Sequence, residues 1–342
     1  MNCPAVRELP PPPEGRTGWP WTVATPPLFA SRPSSPWPRV TIVTPSYNQG
    51  AYLEETIRSV LLQNYPNLEY IIMDGGSTDQ SVDVILRYER WLTHWESRAD
   101  QGQSHAINKG WKIATGNVLA WLNSDDLYRP GALAEAVLAL SSHPSAAFVY
   151  SNVEYIDPQG QTLIVRNPGQ TDLKRMLWAL VSLIPQPTTF VRREMLTEVG
   201  FLDESLDYSM DYDYWLRLLT GHRGVYQDRV WACTRIHQDA KTVARQKDIW
   251  LQKKQVLAKI FSLPGVRPLL PHDEVQGLLS LYHRRTGAVC LRNLAVRDAV
   301  YNLFQSAVLQ PSSLLRPRDW KVALKAARAV LVSGPRSTFW PE

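Results

Sequence analysis

Two adjacent carboxylates, Asp125 and Asp126, stand near the middle of this 342-residue chain, directly after an apolar run. The run at 118–122 has the pattern of a buried strand, and Asn-Ser-Asp-Asp follows it at 123–126. Adjacent carboxylates repel each other unless a cation or hydrogen bonds hold them, and hard oxygen ligands suit Mg²⁺ or Mn²⁺. The same residues also suit an Asx-rich turn before a helix that begins near Pro130. Residue types alone leave both interpretations open.

Two upstream strand patterns also end in polar residues. The β-branched run 40–44 leads into Pro-Ser-Tyr-Asn at 45–48, and the run 68–73 leads into Asp-Gly-Gly-Ser-Thr-Asp at 74–79. Helical spacing of apolar residues follows each run, and a third helix is predicted over 104–114. Alternating strands and helices predict an α/β fold with a parallel, doubly wound sheet. The three polar motifs would then share the carboxyl edge of the sheet, where ligands bind in open α/β folds.

These motifs, in this order and spacing, resemble the family 2 inverting glycosyltransferases of the GT-A fold, over roughly residues 38–240. Downstream, Pro-Gln-Pro-Thr-Thr-Phe-Val-Arg-Arg at 185–193 resembles the acceptor-side strand of that family. The segments 200–204 and 210–217 resemble its following loop and helix. The resemblance implies a GT-A type, mostly parallel sheet and an enzyme that transfers a sugar from a nucleotide-diphospho-sugar.

The resemblance assigns the sugar-nucleotide donor, with a UDP-sugar favoured, to the first strand ends. It implies that Asp74 hydrogen-bonds the nucleobase edge and that the turn at 45–48 borders the base and ribose. For Asp79 and Asp100, helix capping is the alternative, and for Lys109 it is solvent exposure. The predicted donor-binding residues are Pro45, Tyr47, Asn48, Asp74, Gly75, Ser77, Asp79, Asp100, Gln103, Lys109, Asn123 and Asp125.

The resemblance also implies a divalent cation, Mn²⁺ or Mg²⁺, that neutralises the leaving diphosphate. Its predicted ligands are Asp125, Asp126 and His237. For His237, a structural role is the alternative. The family commonly shows an acidic residue where Asn123 stands, so the sequence leaves open which of the two carboxylates is the main ligand.

The predicted general base is Asp211, which opens a helix predicted over 211–219. The family shows an acidic pair at this point, and here Met210 replaces the first acid. Asp211 would take the proton of the acceptor hydroxyl while that hydroxyl attacks the anomeric carbon from the face opposite the diphosphate. Helix N-capping is the alternative for Asp211 and for Asp213.

Composition and cysteine spacing restrict the compartment. Apolar residues make up 44% of the chain, enough for a substantial core. Cys3, Cys233 and Cys290 are far apart, which argues against a disulfide framework or a structural zinc site. The N-terminus has no signal-peptide pattern, and no apolar run reaches the roughly 18 residues of a membrane span. We therefore expect a cytoplasmic protein, peripheral at the inner face of the membrane if its basic region binds lipid.

We expect three regions: a Pro-rich arm at 1–38, a glycosyltransferase domain at 39–240, which the resemblance implies, and a mainly helical extension at 241–342. Within the domain, 39–150 would bind the donor and 151–240 the acceptor. The extension carries 17 lysines and arginines against six acidic residues, whereas residues 1–240 carry 20 against 26. This asymmetry, with a basic helix candidate at 321–332, predicts peripheral contact with an anionic membrane. A solvated helix packed on its own domain is the alternative, and nucleic acid is not expected.

Together the motifs predict inverting, metal-dependent transfer of a sugar to a hydroxyl of a saccharide or lipid-linked saccharide, in cell-surface polysaccharide biosynthesis. A non-catalytic sugar-nucleotide or glycan-binding protein on the same fold is the alternative, because acids are missing at 123 and 210. A nucleotidyltransferase is disfavoured, because the loop after the first strand lacks the glycine and arginine content that such an enzyme needs.

Overall fold

A computed structural model of the chain describes residues 3–26, 36–237, 246–266, 268–292 and 296–310. The strands are β1 (Val40–Ser46), β2 (Leu68–Asp74), β3 (His94–Ser97), β4 (Val118–Trp121), β5 (Leu127–Tyr128), β6 (Phe148–Ile156), β7 (Thr162–Arg166), β8 (Phe190–Arg192) and β9 (Gly224–Arg235). The helices are α1 (Gly50–Leu61), α2 (Ser81–Tyr88), α3 (Gln103–Ile113), α4 (Ala132–Ser142), α5 (Leu173–Ala179), α6 (Met195–Glu198), α7 (Met210–Leu219), α8 (Gln246–Ser262), α9 (His272–Arg292) and α10 (Val296–Leu309). Within the described residues, the nine strands form one sheet in the order β3-β2-β1-β4-β8-β6-β9-β5, and β7 pairs with β6.

The first half of the sheet is parallel, as the alternating pattern predicts. Strand β1 lies between β2 and β4, and β2 also pairs with β3, all in parallel register. Helix α1 packs on this half through apolar residues at helical spacing, including Leu53, Ile57 and Val60, each fully buried. Since the strands are parallel, β1, β2 and β4 end at the same edge, and the predicted α/β sheet is confirmed for this half of the chain.

The second half of the sheet is mixed. Strand β8 runs antiparallel between β4 and β6, while β6 pairs with β9 in parallel. A hairpin around 157–160 joins β6 and β7. Gly224 begins β9 against Phe148, where an added Cβ would lie 2.2 Å from the aromatic ring. Only glycine therefore fits this strand pair without displacing the ring.

An aromatic cluster fastens two helices to the sheet beneath its carboxyl edge. Trp121 of β4 contacts Trp111 of α3 edge-on and stacks on Trp215 of α7, each at a centroid distance of 5.4 Å. Trp215 also stacks on Phe148 at 6.1 Å. Such pairs each contribute about 0.5–1.5 kcal/mol beyond burial. These tryptophans form core, and they fix α3 and α7 on one sheet.

The buried carboxylate of Glu69 fastens the turn between α3 and β4. It accepts hydrogen bonds from the Thr41 hydroxyl, the Thr115 amide at 2.8 Å and the Thr115 hydroxyl at 2.6 Å. Burial opposes ionisation, but these hydrogen bonds outweigh it and lower the pKa of Glu69. The charged form therefore stabilises the native turn.

The Pro-rich arm packs on α1 through a buried arginine. Arg58 is fully buried and donates to the carbonyls of Pro10 at 2.9 Å, Pro20 at 3.1 Å and Trp21 at 2.7 Å. The indole of Trp19 donates to the carbonyl of β5 residue Tyr128 at 2.9 Å. Because residues of the domain donate hydrogen bonds to the carbonyls of the arm, this part of the arm packs as part of the domain.

The chain divides into two compact units, one formed by Met1–Met176 with Ser182–His237, the other by Leu177–Val181 with Gln238–Glu342. The described part of the second unit consists mainly of α8, α9 and α10, so the predicted helical C-terminal region is confirmed. Among the described residues, no helix is both long enough and apolar enough to cross a bilayer. The basic segment 321–332 lies outside the described residues, and the predicted domain limits remain predictions.

Candidate active site

Asp74 lies where three strands end together. In the sheet register it stands opposite Ser46 of β1 and Ser97 of β3. Its carboxylate accepts the hydroxyls of Ser97 at 2.7 Å and Ser77 at 2.5 Å, and the amides of Ser77 at 2.8 Å and Gly76 at 3.1 Å. Asp74 is only 2% exposed. The carboxylate therefore organises the loop after β2, with Ser77 as its closest partner.

The turn after β1 is fixed to that loop. Pro45 is still part of β1, opposite Met73, so the turn begins at Tyr47. Asn48 has a φ of 51°, and its side-chain oxygen accepts the Thr78 amide at 2.8 Å. The ring of Tyr47 is 62% exposed beside the strand ends. An exposed aromatic face here suits a flat ligand such as a nucleobase.

Asp79 caps two helices at once. One carboxylate oxygen accepts the Gly50 amide at the start of α1, and the other accepts the Ser81 amide at the start of α2, both at 2.9 Å. Burial opposes ionisation, but the hydrogen bonds from Ser81 and Gly50 outweigh it and lower the pKa of Asp79. The capping alternative raised from the sequence thus describes the contacts that Asp79 makes.

Asp100 fills the space beside Gly75. An added Cβ on Gly75 would lie 3.0 Å from the nearer oxygen of Asp100, which leaves little room for any larger residue. The Asp100 carboxylate accepts the Gly102 amide at 2.8 Å, and Gly102 adopts a φ of 108° that favours glycine. This turn leads directly into α3. Asp100 therefore connects the loop after β2 with the N-terminus of α3.

The side chain of Lys109 forms an ion pair with Glu96 of β3. The hydrogen bond and positive charge of Lys109 lower the pKa of Glu96. One helical position earlier, Asn108 accepts the Leu202 amide at 3.1 Å and donates to the Leu202 carbonyl at 2.9 Å. Helix α3 thus holds the loop before α7, and the phosphate contact implied for Lys109 stays a prediction.

Asn123 is the centre of a chain of side-chain amides. It accepts from Gln103 of α3 at 2.7 Å and donates to Gln186 at 3.1 Å and to Asp126 at 3.2 Å. Gln186 in turn donates to the Trp121 carbonyl at 2.7 Å. A carboxylate at 123 could not donate either bond and would repel Asp126. The asparagine therefore suits this position, and Gln186 is a site residue that sequence reasoning missed.

Asp125 and Asp126 point to different partners. Asp126 is 2% exposed, accepts the Arg235 amide at 3.1 Å, and has a pKa raised well above its ordinary value by burial and by the charge of Asp125. Asp125 instead lies 3.0 Å from the imidazole Nε2 of His237. Asp126 thus holds the end of β9, while Asp125 and His237 present an oxygen and a nitrogen side by side.

A carboxylate and an imidazole are ligands that Mn²⁺ accepts, and cations at such sites commonly complete their shell with substrate phosphates and water. Within the residues described, no group of three or more His, Cys, Asp or Glu side chains is arranged to hold a metal. The pair Asp125 and His237 fits a cation that takes its remaining ligands from a diphosphate.

Arg235 fastens the loop that carries Asp125. Its guanidinium, with the side chain 1% exposed, donates to the Asp125 carbonyl at 3.2 Å and to Glu55 of α1 at 3.0 Å. It also lies 4.9 Å from the ring centre of Tyr52, whose ring is 5.1 Å from that of His237. Sequence reasoning missed Arg235, although it precedes His237 by only two residues.

Helix α1 supports the same loop through Thr56. The buried Thr56 hydroxyl lies 2.9 Å from the Ser124 carbonyl and 2.8 Å from the Asp126 carbonyl. With the Arg235–Glu55 pair, α1 therefore fixes both sides of the loop that presents Asp125.

Asp211 lies in the first turn of α7, where its neighbours are buried. Met210 is 6% exposed and Asp213 is fully buried, whereas Asp211 is half-buried. Asp213 accepts from Arg217 at 2.8 Å within the helix. Ser104 of α3 donates to the Met210 sulfur at 2.8 Å. Of the two acids, Asp213 therefore has the structural position and Asp211 the accessible one.

The N-terminus of α3 joins the two candidate sets of residues. Gln103 contacts the loop of Asp125 through Asn123, and the next residue, Ser104, contacts the start of α7 beside Asp211. Adjacent residues at the start of α3 thus contact the loop that carries Asp125 and the turn that carries Asp211. A diphosphate near one set and a hydroxyl near the other would suit group transfer between two bound molecules.

Known proteins are similar to this chain in sequence and in fold. The profile described as "Glycosyl transferase family 2" matches residues 41–200. An uncharacterised glycosyltransferase of Rickettsia prowazekii is 30% identical over 225 residues, covering 62% of this chain and 70% of that protein. One of Rickettsia typhi is 32% identical, covering 60% and 66%. The chain spans 31% of a longer relative from Rickettsia felis.

Two solved structures share the fold. Staphylococcus aureus TarS 1–349 in complex with UDP-GlcNAc has a TM-score of 0.54 at 16% identity, over 81% of this chain and 92% of that one. The mannosyltransferase PcManGT from Pyrobaculum calidifontis, in complex with GDP-Man and Mn²⁺, has a TM-score of 0.57 at 20% identity, over 91% and 84%. The fold is that of the GT-A glycosyltransferases, which confirms the predicted fold class. The chain belongs to glycosyl transferase family 2, which confirms the resemblance of its motifs.

Proposed function

We propose that the protein transfers a sugar, with inversion, from a nucleotide-diphospho-sugar to a hydroxyl of a saccharide or lipid-linked saccharide. The observation that carries this proposal is the arrangement around α3. Gln103, at its N-terminus, contacts Asn123 in the loop of the Asp125–His237 pair, and the next residue, Ser104, contacts Met210 beside the accessible acid Asp211. Membership of family 2 supports sugar transfer, and the contacts of these residues support the assignment of roles.

The donor is proposed to bind at the carboxyl ends of β1, β2 and β4. Tyr47 offers an exposed ring to the base, and the loop of Asp74 and Ser77 offers hydrogen-bonding groups to its edge and to the ribose. A UDP-sugar is the favoured donor. The structural relatives support a nucleotide-sugar of this kind, since their complexes contain UDP-GlcNAc and GDP-Man.

Asp125 and His237 are proposed to hold a divalent cation, Mn²⁺ or Mg²⁺, together with the donor's phosphates. When bound, such a cation supplies positive charge that stabilises the leaving diphosphate. Asp126 is proposed to act indirectly, because its carboxylate holds the backbone of Arg235. A complex of PcManGT with Mn²⁺ supports the choice of metal.

Asp211 is proposed as the general base. It would accept the proton of the acceptor hydroxyl as that oxygen attacks the anomeric carbon opposite the leaving diphosphate. A single displacement of this kind inverts the configuration and forms no covalent intermediate on the enzyme. Burial of the surrounding turn by Met210 and Tyr212 would keep the carboxylate in a fixed position.

The proposed biological role is the synthesis of a cell-surface polysaccharide on the cytoplasmic side of the membrane. The net positive charge of 241–342 supports contact with an anionic membrane, where a lipid-linked acceptor would be found. Nucleic acid is not proposed as a partner.

The test measures nucleoside diphosphate release and donor binding with UDP-, GDP- and dTDP-sugars, in Mn²⁺, in Mg²⁺ and in a chelator. We expect metal-dependent binding of one donor, lost when Asp125 and His237 are both changed to alanine. Asp211→Asn should keep donor binding and lose transfer to an acceptor. Asp83→Asn, at an exposed position on α2, is the matched control and should retain both.

A non-catalytic sugar-nucleotide or glycan-binding protein is the second candidate, because Asn123 and Met210 stand where the family commonly has acids. It predicts donor binding without turnover on any acceptor and no effect of Asp211→Asn. Absence of metal-dependent binding to every nucleotide-sugar would reject the proposed transfer.

A further inference from the structure

Helix α10 buries its polar side. Its inward residues Ala299, Asn302 and Ser306 are 0%, 7% and 1% exposed. Asn302 lies 2.8 Å from the ring of His283 on α9, and Ser306 lies 2.9 Å from the hydroxyl of Ser280. Small and hydrogen-bonding residues thus form the contact between α9 and α10.

The opposite side of α10 is apolar and exposed. Val300, Tyr301, Phe304 and Val308 are 61%, 53%, 64% and 59% exposed, and their spacing places them along one side of the helix. We call these four residues the outer face. A helix on the surface of a globular domain normally buries its large apolar residues and exposes its polar ones. In α10 the polar residues are buried and the large apolar residues are exposed. The outer face therefore resembles a surface that contacts a second apolar surface.

The charge of this region restricts what can cover the outer face. Residues 241–342 carry 17 lysines and arginines against six acidic residues, whereas residues 1–240 carry 20 against 26. A second copy of the chain, meeting this face about a two-fold axis, would bring two strongly cationic regions together. The chain's own segment 311–342, with six basic and two acidic residues, has the same sign. An anionic surface is complementary to all of these charges.

We propose that the outer face of α10 inserts into the interface of an anionic lipid bilayer, and that the net positive charge of residues 241–342 supplies the attraction to the headgroups. Stable attachment to a membrane requires two such contributions, since one apolar group of this size binds only weakly. Basic residues near the surface add to it until salt screens them. The inference deepens the membrane contact of the proposed function by assigning it to one face of α10, and it does not rest on the sugar-transfer chemistry.

The test is cosedimentation of the full chain with phosphatidylcholine vesicles that contain or lack phosphatidylglycerol, at low and high salt. The variant Tyr301→Ser/Phe304→Ser/Val308→Ser removes most of the outer face. The matched control Leu163→Ser/Ile164→Ser/Val165→Ser changes three exposed apolar residues of β7, which are 57%, 55% and 49% exposed. We expect wild type and control to bind anionic vesicles at low salt, and the outer-face variant to bind at least about tenfold more weakly. Neutral vesicles and high salt should each weaken the wild type.

Several results would overturn the inference. They are equal binding by the outer-face variant, absence of wild-type binding, or binding indifferent to lipid charge and salt. A wild-type dimer that the variant converts to a monomer would assign the face to a second copy. A lower melting temperature of the variant without lipid would show that the chain covers the face itself. Asp211→Asn should bind vesicles as wild type does, so failure here is separable from failure of the proposed transfer.

Discussion

Replacement of Arg235 by methionine tests whether a buried ion pair holds the loop of Asp125. Methionine keeps much of the aliphatic length but removes the guanidinium. The hydrogen bonds that would be lost join the guanidinium to Glu55 at 3.0 Å, to the Asp125 carbonyl at 3.2 Å and to two carbonyls of the β6–β7 turn at 3.1 Å each. The backbone bond to Asp126 would remain. The change therefore isolates the side chain.

The expected loss of stability is large because Arg235 is buried and Glu55 is only slightly exposed. The side chains of Arg235 and Glu55 are 1% and 12% exposed, so Glu55 would be left as a charge with little access to water. Removal of one member of such a pair costs about 3–5 kcal/mol, whereas a surface pair contributes about 0–1 kcal/mol. The unpaired carbonyls add to this, but the turn can relax toward water. We expect the free energy of unfolding to fall by about 4 kcal/mol.

Urea unfolding followed by tryptophan fluorescence measures this loss, with Glu55→Leu in the Arg235→Met background as the companion variant. The double variant should recover roughly half of the loss, because no uncompensated charge is buried. Nucleotide-sugar affinity should fall in the single variant, since the loop of Asp125 loses its attachment to α1. A loss below about 1 kcal/mol, or a double variant less stable than the single one, would refute this account of Arg235.

Three further predictions concern the scaffold. Arg58→Met should lower the free energy of unfolding by about 3 kcal/mol and make the arm sensitive to protease, because three carbonyls, two of them buried, lose their donor. Arg87→Met, at a half-exposed pair, should cost less than about 1 kcal/mol. Gly224→Ala should cost about 1–3 kcal/mol through its clash with an aromatic ring of β6. Gly221→Ala, with no atom within 4 Å of the added Cβ, should be close to neutral in the same unfolding assay. The pKa of Glu69 is lower in the folded protein than in the unfolded chain, so its contribution is present above the unfolded value and is lost as pH falls. Thermal melting should therefore show a smaller loss of stability on acidification for Glu69→Gln than for wild type.

Each comparison has a contrary outcome. Equal effects at positions 58 and 87 would mean that burial does not govern the arginine contacts. Equal effects at 224 and 221 would mean that the ring yields to a methyl group. A steeper acid loss in the Glu69 variant than in wild type would contradict the sign of the pKa shift.

The fold was predictable because its signals are local. The strand patterns at 40–44, 68–73 and 118–122 and the helix predicted over 104–114 each depend on residues close in the chain, and each forms within about two residues of its predicted bounds. The family followed from the order of short motifs. The contact of Asp79 with the Ser81 amide was also predictable, because an acidic residue just before a helix commonly accepts a hydrogen bond from the first backbone amides of that helix.

The parts that sequence missed depend on contacts between distant residues. Glu55 and Arg235 are 180 positions apart, and Asn123 and Gln186 are 63 apart. The spacing of apolar residues along the chain predicts helices and strands but does not predict which distant polar residues pair. The different contacts of Asp125 and Asp126 also depend on a distant residue, because the Asp126 carboxylate accepts a hydrogen bond from the Arg235 amide at the end of β9. The sequence identifies both Asp125 and Asp126 as candidate ligands, but it does not predict the direction in which each side chain points.

The attachment of the arm has a consequence for the timing of folding during synthesis. Trp19 and its partner Tyr128 are 109 positions apart, and a ribosome adds about 5–20 residues per second. The arm is therefore made roughly 5–20 seconds before the strand that receives its indole. During that interval the side chains of Trp19 and Trp21 have no domain to cover them. The bond between Trp19 and Tyr128 can therefore form only after the first four strands of the sheet have been made, so this contact is added late during synthesis.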